Sequence, residues 1–306
     1  LSNPILVTGA SGFVGSVVVR RLAAAGRSVI GTDIVPPMRP FGDHVVFAQA
    51  DSRDVLRHTA LMSEGCDGII HCGGISGPML AQDNPVELLD INIRGSLNLL
   101  ELARVFRLRR FVMCSSVSAY GAADAAAVVT EDEPLRASSA YGTSKAASDL
   151  LLQTFVAQYG VSATALRLGW VYGPGRRTDG FLRLMIRSAF DEPAYVLPRG
   201  ADHRLQFVHV EDVADAIIAA FDAPTLAHST YNINGHEALS LGEIAALVRD
   251  IVPKAQIDIG PGLLPDTDVQ APMSLARAEV GLGWRPKTAL GDGLRTYADW
   301  LSGNAF

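Results

Sequence analysis

Thr8-Gly9-Ala10-Ser11-Gly12-Phe13-Val14-Gly15 is the stretch on which the fold turns. It follows Ile5-Leu6-Val7, an apolar run too short for a helix, and a helical pattern from Val14 to Ala25 opens inside it. Glycines spaced in this way permit a tight turn, close approach of backbone to a pyrophosphate and close packing of helix on strand. The helix N-terminus adds free N–H groups that favour phosphate. The spacing is G-x-x-G-x-x-G, not the G-x-G-x-x-G of the general dinucleotide fingerprint, and glycines alone also describe an ordinary turn. Asp33 adds weight: it ends the next apolar run, about 20 residues on, where a carboxylate accepts hydrogen bonds from ribose hydroxyls. No arginine or lysine occupies 34–38 to meet a 2′-phosphate, so the expected cofactor is NAD and not NADP. The expected cofactor contacts here are Gly9, Ser11, Gly12, Phe13, Val14, Gly15 and Asp33, with Asp51 and Ser52 past the third run at the adenine.

Working outward, short runs and helical stretches alternate. Ser28-Val29-Ile30, Val45-Val46-Phe47, Gly68-Ile69-Ile70 and Phe111-Val112-Met113 read as strands, and Asp54 to Glu64 and Val86 to Phe106 as helices between them. This βαβα rhythm predicts a doubly wound parallel sheet of the Rossmann type, with ligands beyond the carboxyl ends of its strands. After Gly173-Pro174-Gly175 the rhythm loosens. Helical stretches at Phe181 to Phe190 and Leu241 to Ile251 suit a smaller C-terminal substrate-binding lobe, while Phe207-Val208-His209-Val210 and Glu211 to Ala223 read as one more strand and helix. The expected division is 1–175 for the cofactor domain, with 205–223 returning to it, and 176–306 mainly for the lobe.

The chain has 306 residues, 48% hydrophobic and 19% charged, enough apolar material for such a core. A net charge of -6 gives no general attraction to nucleic acid or anionic membranes. Cys66, Cys72 and Cys114 lack metal-ligand spacing and read as reduced thiols, so no metal is expected. With no signal-like segment and no apolar stretch able to span a bilayer, a cytoplasmic protein is expected.

Tyr141-Gly142-Thr143-Ser144-Lys145 opens a helix in which Tyr141 and Lys145, four apart, share a face. A free tyrosine titrates at about 10 and is a poor base at neutral pH; a cation fixed beside the phenol favours its ionised form. Tyr141 would then take a hydroxyl proton as hydride leaves carbon. The spacing alone also describes a packed ring and a solvated amine, so context decides. That context is Cys114-Ser115-Ser116-Val117-Ser118-Ala119-Tyr120-Gly121 at a strand end, where a serine hydroxyl can hold the reacting oxygen.

The combination of TGASGFVG, Asp33, CSSVSAYG, YGTSK and Arg167-Leu168-Gly169-Trp170-Val171-Tyr172-Gly173-Pro174-Gly175 resembles the extended short-chain dehydrogenase/reductase family, which includes nucleotide-sugar epimerases and dehydratases. FVHVEDVADAI, YNINGHEALSL and LGWRPKTALGDGL extend the likeness over nearly the whole chain. The resemblance implies Tyr141 as general acid/base, Lys145 as the ribose-binding residue that tunes it, and Ser116 as ligand of the substrate oxygen. It places Cys72, Gly73 and Gly74 along the cofactor and counts Asn92, on the helix beneath the site, among the cofactor contacts, either supporting backbone or relaying protons. His71 reads as structural. It also implies a homodimer through the helix after Asn92 and the helix bearing Tyr141.

Departures from the family narrow the reaction. The Asp-Glu pair of sugar dehydratases is replaced by Val117 and Ser118, so dehydration is not expected. Trp170 stands where epimerases usually carry an asparagine, and Leu205 where they carry an arginine, with Arg204 one place earlier. His71-Cys72-Gly73-Gly74-Ile75-Ser76 is similar to the H-x-G-G-I-S segment of uronate dehydrogenases, which implies Ser76 at the substrate. Arg176 and Arg177 could clamp a carboxylate bidentately, and Arg204 joins the expected substrate contacts. The expected activity is NAD-dependent oxidation of a secondary hydroxyl on a sugar, sugar acid or small polyol. The alternative is a nucleoside-diphosphate-sugar 4-epimerase using the same residues with tightly bound NAD.

Overall fold

The computed structural model describes residues 3–304 apart from 78, 125–126, 191–192 and 266. Its first half runs β1 (Ile5–Thr8), α1 (Phe13–Ala24), β2 (Val29–Asp33), β3 (Val45–Gln49), α2 (Val55–Met62), β4 (Gly68–His71), α3 (Pro85–Leu89), α4 (Gly95–Val105), β5 (Arg110–Ser116) and α5 (Ala140–Tyr159). The second half runs β6 (Ala163–Leu168), β7 (Trp170–Tyr172), α6 (Phe181–Arg187), β8 (Tyr195–Leu197), β9 (Arg204–His209), α7 (Val210–Asp222), β10 (Thr230–Ile233), β11 (Ala238–Ser240), α8 (Leu241–Ile251), β12 (Ile257–Ile259), α9 (Ala276–Leu282) and α10 (Leu290–Gly303).

Seven of these strands form one parallel sheet in the order β10-β6-β5-β4-β1-β2-β3. Because successive residues of a strand face opposite sides, Ile5, Val7, Ile70 and Val112 pack on one face with Val17 and Leu22 of α1 and Val213 and Ile217 of α7. Leu6, Ile69, Phe111 and Met113 pack on the other with Leu99 and Leu100 of α4 and Leu152 and Phe155 of α5. Burial on both faces is why these strands read as continuous apolar runs. The chain winds one way from β1 through β2 to β3, and the other from β4 through β5 to β6. The crevice of such a sheet lies where the winding reverses, beyond the ends of β1 and β4.

Two segments differ from the expected layout. Strand β9, expected to return to the large sheet, instead joins β7 and β11 in a three-stranded sheet of the small lobe, while the helix after it, α7, packs on the large one. The strand that does return is β10, beside β6 at the edge, so the large sheet is completed from beyond residue 223. Tyr231 and Ile233 of β10 are buried in the same core as β1. Termini 1–2 and 305–306 of the expected division lie outside the described residues. The small lobe encloses its own core, including Tyr172, Met185, Phe207, Ile244 and Leu294.

The single helix expected over Val86 to Phe106 is broken into α3 and α4 by a π-helical turn at Asp90–Arg94. Within it the Asn92 carbonyl accepts hydrogen bonds from the hydroxyls of Ser96 and Ser148, which draws that turn toward α5. Such turns concentrate at functional sites. Among the described residues no helix is long and apolar enough to cross a membrane.

Candidate active site

A cleft of about 360 Å³ opens beyond the ends of β1, β4, β5 and β6. Its first wall is the glycine turn. Gly9 sits at φ +67°, and a Cβ there would lie 2.6 Å from the backbone nitrogen of Gly73, so the ends of β1 and β4 meet only because position 9 has no side chain. Gly12 starts α1 without a side-chain cap, leaving the helix N-terminus to the cleft that Gly9, Gly12, Phe13, Val14 and Gly15 line. This cradle fits a pyrophosphate. Asp33 is tied to the same turn: its carboxylate accepts from the backbone N–H groups of Ser11, at 3.0 Å, and Val35. The Ser11 hydroxyl donates to the Val35 carbonyl. Asp33, half-buried at the end of β2, keeps acceptor capacity for a ribose.

Further along, Asp51 is gripped by Arg53, whose side chain and backbone N–H both donate to it; this holds its carboxyl below the usual carboxylate range. Arg53 also reaches Asp90. Ser52 lies against Gly95 at the start of α4. Neither Asp51 nor Ser52 is among the residues lining the cleft.

Cys72, Gly73, Gly74, Ile75 and Ser76 form the next wall. Asn92, expected among the cofactor contacts, is turned to the protein instead. It is buried, its Oδ1 accepts from the Ile75 N–H, and its Nδ2 donates to the Ile75 carbonyl and to Ser144 Oγ. With both amide donors used, Asn92 clamps the loop after β4 to α5. A Cβ on Gly74 would come within 2.6 Å of its Oδ1. His71, one residue before this wall, is buried between the Thr8 and Ser96 hydroxyls, and burial pushes its pKa down to about 3, so it is a neutral bridge between β1 and α4.

The third wall holds the residues expected to carry the chemistry. Ser116, the last residue of β5, accepts from the Ser118 N–H at 3.1 Å and donates to Ser118 Oγ at 3.2 Å. Tyr141 lies in the first turn of α5, which Ser139 caps by accepting from the Gly142 N–H. Lys145 projects one turn on, its Nζ 5.9 Å from the Tyr141 ring centroid and donating to the Cys114 carbonyl at 2.9 Å. That bond uses one of three ammonium donors and leaves two for a ribose. Ser116, Tyr141 and Lys145 all line the cleft.

The expected substrate contacts separate. Ser76 and Arg176 line the cleft. The guanidinium of Arg176 donates to the Val171 carbonyl, while its buried Nε has no partner among the described residues. Burial works against its charge, offset in part by Tyr297 and Tyr141, which places this cation in the electrostatic reach of the acid/base. Arg177 is exposed and outside the cleft lining. Arg204, expected at the substrate, is turned away: exposed at the start of β9, it donates to the Ala238 carbonyl across the ladder to β11 and lies near Glu243. The pleat explains this, because Leu205 takes the inward position.

Sequence reasoning missed several lining residues. Met79, Leu80, Thr178 and Trp170 complete the wall toward the small lobe; the Trp170 ring packs against Phe181 and its Nε1 donates to Gln270 at 3.0 Å. Nothing in their spacing marks them, since they come from the loop after β4, from β7 and from the loop before α6. Also missed was the post behind α5. Arg167, buried in β6, donates from Nε to Asp149 at 2.7 Å and from Nη1 to the Tyr120 hydroxyl, which donates to Asn232 of β10. Burial pushes the Asp149 carboxyl up; burial also opposes the Arg167 charge, yet Asp149 and Tyr120 outweigh it and raise its pKa. Arg167, quoted above only as part of a family motif, is thus a brace between β6, α5 and β10.

A sequence model of the NAD dependent epimerase/dehydratase family matches residues 5–234. The chain belongs to that family. A UDP-glucuronate 4-epimerase of Thermodesulfobacterium geofontis is 26% identical over 98% of this chain and 96% of its own length. A dTDP-glucose 4,6-dehydratase of Neisseria meningitidis serogroup B is 28% identical over 98% and 93%. Structures of MoeE5 with NAD and either UDP-glucose or UDP-glucuronic acid superpose with a TM-score of 0.88 at 27% identity, covering 98% of this chain and 99% of MoeE5. Family membership makes this an NAD-dependent enzyme of the epimerase/dehydratase type, and the glycine cradle, Asp33 and Lys145 provide the groups such a cofactor needs.

Proposed function

We propose that this enzyme is a 4-epimerase of a nucleoside-diphosphate hexose that retains its NAD, with a UDP-uronate as the preferred substrate. The observation that carries the reading is the composition of the cleft around Ser116. Tyr141 and Lys145 supply one acid/base, while Val117 and Ser118 follow Ser116 and no Asp or Glu is among the described residues lining the cleft. Such a site can oxidise a hydroxyl and restore it, but lacks a second acid to expel water. Relatives that act on or bind UDP-sugars match over the whole chain, small lobe included, which favours epimerisation over net oxidation.

Bound NAD supplies the redox chemistry. Tyr141 takes the proton of the C4 hydroxyl, and Lys145 keeps a positive charge beside the phenol. Ser116 exchanges its bond to Ser118 for one to the C4 oxygen and so steadies that oxygen in both oxidation states. Ile75, Met79, Leu80, Val117 and Trp170 present mainly apolar surface and offer few hydrogen bonds to hold a keto sugar in one pose. The sugar can then turn and present its other face, after which Tyr141 returns the proton. Arg176, which lines the cleft and feels the charge of Tyr141, meets the sugar carboxylate.

A second reading, net oxidation of a free sugar acid, is favoured by one observation: with Arg204 turned outward, Lys145 and Arg176 are the only cations among the described lining residues, a sparse set for a diphosphate. Incubation with UDP-glucuronate, UDP-glucose and free glucuronate, followed by ion-exchange chromatography and NADH absorbance, separates the two. The proposal expects C4 epimers of the UDP-sugar without NADH accumulation. Stoichiometric NADH from free glucuronate, with no epimer formed, would contradict it.

The reading includes a homodimer through α4 and α5, whose exposed Leu97, Val105, Leu150 and Tyr159 offer apolar surface to a second copy. Light scattering should give twice the 32.5 kDa chain mass; a monomer would refute the dimer alone.

A further inference from the structure

Cys72 directly follows β4, and Cys114 lies in β5. These strands pair in parallel with His71 opposite Met113, so the two cysteines are the next residues in register and project from the same face of the sheet. Their Sγ atoms are 3.5 Å apart, and both residues line the cleft beside Lys145. Neighbouring strands lie about 4.8 Å apart, within the roughly 4.4–6.8 Å between Cα atoms that a disulfide spans. Side-chain rotation alone can therefore bring the sulfurs into bonding distance.

We propose that Cys72 and Cys114 form an oxidation site for hydroperoxides, closing to a disulfide in the cofactor-free enzyme and shielded when NAD fills the cleft. The Cys114 thiolate attacks the outer peroxide oxygen; the O–O bond breaks, the alkoxide or hydroxide leaves and takes up a proton, and Cys114 becomes a sulfenic acid. The Cys72 sulfur then attacks the Cys114 sulfur, forming the S–S bond, while hydroxide leaves and takes the Cys72 proton as water. Two thiols and one hydroperoxide thus give one disulfide, one alcohol or water, and one further water; the sulfurs are oxidised by two electrons and the peroxide is reduced.

The surroundings favour Cys114 as the attacking sulfur. Its bond with Cys72 lowers its pKa against the effect of burial, and the Lys145 charge adds to this; Cys72 is pushed up in turn. Cys66 provides an internal control. It stands before β4, six residues from Cys72, or roughly 20 Å along an extended chain. It packs with the core of the opposite face, and burial raises its pKa.

The test strips retained NAD from the reduced full chain, treats it with hydrogen peroxide with and without saturating NAD added back, then alkylates and maps peptides by mass spectrometry under non-reducing conditions. Expected are a cross-linked peptide pair containing Cys72 and Cys114 that dithiothreitol separates, alkylated Cys66, and cross-linking slowed at least about tenfold by NAD. Calorimetry on the oxidised protein should show NAD binding weakened by about tenfold, or about 1.4 kcal/mol, and regained on reduction. Cys114→Ala should give no cross-link. Free Cys72 and Cys114 after treatment, or modification confined to Cys66, would overturn the site. The shielding rests on NAD occupying this cleft: a reduced chain that fails to bind NAD overturns that reading and the shielding together, whereas a missing cross-link in a chain that binds NAD overturns the site alone.

Discussion

Around the glycine turn, the cleft is shaped by backbone: Gly9 meets Gly73 main chain to main chain, α1 begins uncapped at Gly12, and Asp33 is held by the N–H of Ser11. Toward the small lobe it is shaped by side chains from separate segments: Ser76 and Met79 after β4, Trp170 braced by Gln270, and Arg176 bonded to the Val171 carbonyl. A backbone cradle recognises what every NAD shares, whereas a side-chain wall can change residue by residue without disturbing the sheet. The cofactor half therefore states the family, and the proposed function places the substrate choice in the lobe half.

The largest effect should come where the halves meet. Tyr141→Phe should lower turnover by about 10³-fold, within the range for loss of an acid/base, while calorimetry shows NAD affinity unchanged; retained turnover would remove Tyr141 from the chemistry. Next is the brace behind α5. Arg167→Met leaves Asp149 buried without its partner and should cost about 3–5 kcal/mol in urea unfolding; a loss under about 1 kcal/mol would mean the brace is idle. Asp33→Ala and Arg176→Ala form a matched pair across the comparison. Asp33→Ala should weaken NAD by roughly 10–100-fold, the worth of hydrogen bonds to a charged group, and leave discrimination between UDP-glucuronate and UDP-glucose alone. Arg176→Ala should do the reverse, raising KM for the uronate while NAD affinity holds. If either variant moves both quantities, the halves are not separable.

A smaller effect concerns acid. His71 has its pKa at about 3 in the fold against 6.5 ordinarily, through burial first and the nearby Lys145 charge second. Between those values the unfolded chain takes up a proton that the folded chain refuses. The stability present above pH 6.5 should thus fall as pH drops toward 3, by up to about 1.4 kcal/mol per unit for this one group. Burial shifts His58, His203 and His209 the same way and steepens the slope. Urea titrations at pH 7, 6 and 5 would show it; flat stability would contradict neutral burial. Arg204→Ala, at an exposed ion pair, should change stability by less than about 1 kcal/mol and leave turnover intact.

Much of the sheet was legible because its strands are buried on both faces and announce themselves as apolar runs, as Ile5-Leu6-Val7 and Phe111-Val112-Met113 do. That Ser116, Tyr141 and Lys145 meet at one cleft was legible because local motifs carry them. Strand β9 misled because pairing partners are not written in a strand: Phe207 and Val208 look the same whether they join β6 or β7. Asn92 misled as a cofactor contact, though not as a support for backbone, because a helix-embedded amide does not reveal which neighbours consume its donors. Arg204 misled through the pleat, where one residue of offset exchanges the core of the small lobe for solvent. The Arg167 brace was invisible because its members, Tyr120, Asp149 and Asn232, meet only in the fold.

Retention of isotope at C4 tests the central claim most directly. A UDP-glucuronate carrying deuterium at C4, incubated with the NAD-loaded enzyme, should yield both C4 epimers with the deuterium still at C4, since the hydrogen removed is the one returned. Deuterium lost from C4 and recovered in free reduced cofactor, with a stable keto sugar accumulating, would contradict epimerisation and establish net oxidation in its place.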